Sequence, residues 1–196
     1  MSRRIWACTT LAAVMVVSLS VPLRAQEYST KLSGFQEVGG LGAGETGAIL
    51  STGQGTLKLT LDKTAETLTY TLKYSGLANV TQSHIHFGKE HVAGGIMVFL
   101  CSNLPSPPLG TPACPDDTSG EVTVTGTIIA TGVVGPAAQN VPAGDFAAVI
   151  AALTSDTAYA NIHTKLFPAG EIRGQIQPER RRRDFGGRGV PWRRGQ

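Results

Sequence analysis

The chain has 196 residues, 41% of them apolar, with 24 glycines and a formal charge of +3. That length suits one domain with appendages and excludes an array of several. The charge is unevenly spread: residues 26–177 carry 7 Lys+Arg against 12 Asp+Glu, and residues 178–196 carry 7 Arg against 2 acids, so the domain is mildly acidic and the tail basic.

Arg3 and Arg4, the apolar run Leu11–Val21 and the small Ala25 before Gln26-Glu27 have the layout of a signal peptide over residues 1–25. The run is too short to span a membrane, which takes about 20 residues, and no transmembrane segment is expected in the mature chain. Export to the periplasm or beyond the cell follows, and it argues against nucleic acid as a partner.

Past that segment the elements come in order. Leu57–Leu61 and Leu68–Tyr74 alternate apolar and polar residues around Asp62-Lys63-Thr64-Ala65-Glu66, the pattern of a hairpin. Val80–Phe87, Gly95–Cys101 and Glu121–Thr131 are further strands. Phe146, Val149, Ile150 and Leu153 fall at helical spacing after Asp145, a capping residue, so one short helix is expected near 145–153. Tyr159–His163 and Glu171–Ile176 form a last strand pair. Short strands separated by turn residues predict a mostly β fold, an antiparallel β-sandwich with a Greek-key, immunoglobulin-like or superoxide dismutase-like plan. The arginine-rich residues 178–196 have little to bury and are expected to be disordered, free to contact anionic surfaces.

Two cysteines remain after the signal, Cys101 and Cys114, and an oxidising compartment predicts a disulfide between them. Chemistry concentrates in three stretches. Side chains two residues apart on a strand share a face, so His84 pairs with His86, Asn161 with His163, and Glu171 with Arg173 and Gln175. If the last two strands pair through their loop, His163 comes near Glu171 and Asn161 near Arg173. If the strand of His84 and His86 lies alongside, three imidazoles converge. His84, His86 and His163 then form a candidate site for copper or zinc, with Glu171 as neighbour or fourth ligand and Asn161, Arg173 and Gln175 completing a polar cluster. His91, in a loop with a glycine on either side, is a weaker candidate.

These motifs resemble the CHRD domain, a module named after chordin and found in many exported bacterial proteins. The resemblance rests on Gly34-Phe35-Gln36-Glu37, His84-Ile85-His86-Phe87-Gly88, Asn161-Ile162-His163-Thr164 and Gly170-Glu171-Ile172-Arg173-Gly174-Gln175, and spans residues 28–177. It implies an extracellular β-sandwich but no settled reaction. Residues Cys101–Gly120 form an insert beyond the compact pattern. Two function classes remain open: a binding or structural module for an extracellular protein or polymer, whose polar cluster satisfies itself, and a mononuclear metal protein. A superoxide dismutase-like copper–zinc pair needs more imidazoles than the four histidines present, which leaves a single-copper redox site at most. No catalytic residue is assigned: the cysteines are expected to be bridged, and the glycines of Gly39–Gly47 precede no helix signal as a phosphate loop would require.

Overall fold

Leucines at every second position make the first hairpin. In the computed structural model, which describes residues 25–38, 47–116 and 120–179, β2 (Gln54–Asp62) and β3 (Thr67–Ser75) pair antiparallel with Leu57 opposite Leu72, Leu59 opposite Tyr70 and Leu61 opposite Leu68. All six are buried, while Thr56, Lys58 and Thr60 face out. Asp62 Oδ1 closes the turn by accepting from the Thr64 and Ala65 amides at 2.8 and 2.9 Å, the use of aspartate that favours it in turns.

The other strands are β1 (Gln26–Ser33), β4 (Val80–Phe87), β5 (Gly95–Ser102), β6 (Val122–Ile128), β7 (Ala158–Thr164), β8 (Ile172–Gln175) and β9 (Gln177–Pro178). Every pairing is antiparallel, and one path runs β5-β4-β7-β8-β1-β2-β3-β6, with β9 beside β1. The path is nearly closed and barrel-like. Val98 of β5 bridges Val133 just beyond β6, and Tyr70 Oη of β3 donates to Leu100 O of β5 at 2.6 Å. The expected mostly β, antiparallel architecture with one helix is therefore present. α1 (Phe146–Thr154) buries Phe146, Val149, Ala152 and Leu153, and the Asp145 side chain accepts from the Ala148 amide as its cap.

Two elements differ from the reading of the sequence. β1 had no clear signal, because only Tyr28, Thr30 and Leu32 alternate inward and one of these is polar. It nevertheless pairs along its whole length with β2 and joins the two halves of the sheet. The strand expected over Glu121–Thr131 ends at Ile128, because a 3-10 turn at Ala130–Gly132 takes over and leaves Ile129 exposed.

The expected disulfide is formed between Cys101 and Cys114. The signal segment, apart from Ala25, lies outside the described residues, as does the tail after Glu179. Pro178, where the tail was expected to begin, pairs with Tyr28. Among the described residues no helix is long and apolar enough to cross a membrane.

Candidate metal centre

β7 is buried at every position. Its Ala158, Ala160 and Ile162 belong to the hydrophobic core, so the alternation of the strand sends Tyr159, Asn161 and His163 to the opposite face. β4 flanks it on one side, with His86 opposite Tyr159, His84 opposite Asn161 and Gln82 opposite His163. β8 flanks it on the other, with Arg173 opposite Asn161 and Ile162 opposite Ile172. The expected adjacency of the three strands is present, and two register shifts in the β4–β5 ladder lie beside the histidines, where bulges commonly re-aim side chains.

His84, His86 and His163 each present one ring nitrogen, all within 4.8 Å of one another. His84 Nδ1 and His163 Nε2 are 3.1 Å apart. Four tetrahedral bonds of about 2.0–2.1 Å set ligand nitrogens about 3.4 Å apart, close to the His84–His163 separation. The outer nitrogens are already engaged. His86 Nδ1 donates to Gly94 O at 2.9 Å, and His163 Nδ1 donates to Pro168 O at 2.9 Å. A carbonyl can only accept, so in the neutral rings both Nε2 atoms carry lone pairs. His163 Nε2 faces Asn161 Oδ1 at 3.0 Å as well as His84. His86 Nε2 is buried without a hydrogen bond of ordinary geometry, although the Asn161 side chain beside it favours its protonated form. On His84 the second nitrogen, Nε2, meets Gln82 Oε1 at 3.1 Å.

Electrostatics keep these rings neutral. Burial, followed by the neighbouring His163 and His86, lowers His84 to about 2. Burial lowers His86 to about 4 against the opposing hydrogen bond from Gly94, and lowers His163 to about 4. Neutral imidazole is the form that binds metal. Phe99 packs edge-on against His84 at 4.4 Å, and the ring of Tyr159 stacks on His86 at 4.8 Å.

The remaining polar residues surround this centre in ways the strand pattern did not all convey. Arg173 lies with its guanidinium carbon 3.5 Å from the Tyr159 ring centre, and its Nη2 donates to Lys89 O and Val92 O. It thereby ties down residues 88–94, the segment that supplies Gly94 O to His86. Gln175 Nε2 donates to Gly88 O and Asp156 O. Glu171 departs from the expected row: its carboxylate accepts from Ser51 Oγ at 2.6 Å and Thr164 Oγ1 at 2.7 Å. The reason is local. Gly170 has φ +137° and β8 begins only at Ile172, so strand alternation does not yet govern Glu171. His91 is exposed beside Glu90.

Sequence reasoning missed Glu37, Tyr159 and Gln82. Glu37 is buried and sits with the Asn161 amide against Gly170, where a Cβ would collide with both. Its signal was available in the Gly-x-x-Glu motif. Gln82 and Tyr159 were legible as the i−2 neighbours of His84 and Asn161.

No curated protein and no solved structure matches the chain. The model of the CHRD domain matches residues 28–176, and the chain belongs to that family.

Proposed function

We propose that this CHRD domain is an exported, mononuclear metal-binding module that holds copper or zinc through His84 Nδ1, His86 Nε2 and His163 Nε2. One observation carries the reading: the carbonyls of Gly94 and Pro168 accept hydrogen bonds from Nδ1–H of His86 and His163, which leaves Nε2 of both rings with a lone pair in a cluster of three imidazoles. Carbonyl partners that orient histidine ligands in this way are usual around bound metals. Imidazole suits both copper and zinc. Asn161, Arg173 and Gln175 support the site by bracing the strands and loops around it, whereas the Glu171 carboxylate is hydrogen-bonded to Ser51 and Thr164. The disulfide fits an oxidising compartment, periplasmic or extracellular, and residues 178–196 serve as a basic tail for anionic surfaces. The two halves of the curled sheet act as the layers of a sandwich, with the site on the outer face of one.

The 3.1 Å contact between His84 and His163 favours a second reading, a structural network in a non-enzymatic module that binds an extracellular protein or polymer. In that case His84 donates from Nδ1 to His163, and the Gln82 amide is turned end for end. His86 Nε2 still gains no hydrogen bond of ordinary geometry. Metal content decides between the two. The chain, exported and purified without a histidine tag and offered copper and zinc, is expected to hold about one ion, lost in His84→Ala and in His163→Ala. Stoichiometric absence of metal from the folded wild type would overturn the metal reading in favour of the structural one.

A further inference from the structure

We infer that the site completes its coordination with a small anion that the protein does not supply; this rests on the metal reading above. The donors that converge are three imidazoles, with the Asn161 amide oxygen 3.0 Å from His163 Nε2, and all of them are neutral. The carboxylate that the sequence offered as a fourth ligand, Glu171, is spent on Ser51 and Thr164. Among the described residues no carboxylate or thiolate joins the cluster of the three histidines. A divalent ion held there receives no charged ligand from these donors, and an uncompensated buried charge is costly. Three imidazole ligands leave a tetrahedral ion one position short, the arrangement of open rather than closed sites, and the Asn161 oxygen beside them is neutral and would not offset the charge.

Size follows from burial. His84 is fully buried, and His86 and His163 are 7% and 6% exposed. Phe99 and Tyr159 cover two of the rings. The ligand class is therefore an anion of one to three heavy atoms, such as hydroxide or azide. The same burial is expected to keep out free imidazole and phosphate, which are larger.

The test uses the full exported chain loaded with cobalt(II), whose visible spectrum reports coordination, and titrated with sodium azide. The expected result is one bound cobalt and a saturable spectral shift with azide but none with phosphate or free imidazole. Glu171→Gln, which keeps polar contact with Ser51 and Thr164, is expected to leave the cobalt spectrum and the azide response unchanged. One bound cobalt with no azide response would overturn the inference and leave the metal reading standing. So would an azide response seen only in Glu171→Gln, because Glu171 would then be the missing anion. No bound cobalt would overturn both.

Discussion

The half of the sheet formed by β2, β3 and β6 and the half formed by β4, β7 and β8 use the same two-residue alternation to opposite ends. On the first, Leu57, Leu59, Leu72 and Val124 turn into the core, and Thr56, Thr60, Thr69 and Thr125 turn to solvent. On the second, Ile85, Ala160 and Ile162 turn into the core, but the outward residues His84, His86, Asn161, His163 and Arg173 are buried too. Residues 88–94 and the turn around Pro168 lie over them, and their carbonyls serve as hydrogen-bond acceptors. Alternation chooses a face, and whatever covers the face decides whether it is wet. Where loops supply acceptors, a strand keeps polar groups dry and oriented, the condition a binding site needs.

Substitutions separate the two halves most sharply in their cores and on their outer faces. Leu72→Ala is expected to cost about 2–5 kcal/mol in denaturant unfolding, whereas Thr125→Ala on the same half stays within about 0.5 kcal/mol. Similar losses from both would mean that the threonine face is not a solvent face. Reduction of Cys101–Cys114, which spans 13 residues, is expected to cost about 3 kcal/mol, measured as a lower midpoint of thermal unfolding in reductant; an unchanged midpoint would place the constraint elsewhere. On the polar half, Arg173→Met removes a buried charged donor from the carbonyls of Lys89 and Val92 and should cost about 1.5–3 kcal/mol. Hydrogen exchange is expected to quicken at residues 88–94 and stay unchanged in the β2–β3 hairpin. Uniform quickening would show that Arg173 holds the whole fold rather than its loop.

The smallest effect concerns the junction between the halves. Burial raises the Tyr70 hydroxyl to about 12 from 10.0. The folded protein keeps that proton when the unfolded chain has lost it, so stability is level below pH 10 and falls as pH rises towards 12. Tyr70→Phe should cost about 1 kcal/mol near neutrality and remove this residue's share of the alkaline fall in a pH series of unfolding curves. An undiminished slope in the variant would assign the alkaline loss to other groups.

Much of this was legible in advance. The β2–β3 hairpin, the bounds of β4 and the Asp145 cap follow from local pattern, because strand and helix periods and turn chemistry act over a few residues, and the disulfide follows from the two cysteines present beyond residue 25. The pairing of Asn161 with Arg173 and of Ile162 with Ile172 was legible as well, because one hairpin register aligns both faces at once. β1 escaped because one of its three alternating inward residues is polar and its place depends on β2 and β8, which lie apart from it in sequence. Glu171 escaped because a glycine at positive φ re-aims the chain before the strand begins.

By itself the sequence determined the β class, the family, and which side chains share a face, since these depend on residue type and on a period of two. Only the tertiary structure decided that β4 lies against β7, that Glu171 serves Ser51 and Thr164, and that Gly94 and Pro168 lend their carbonyls to histidines. Those outcomes depend on where distant segments come to rest, and a backbone carbonyl, which every residue carries, leaves no mark in the sequence of the contact it will make.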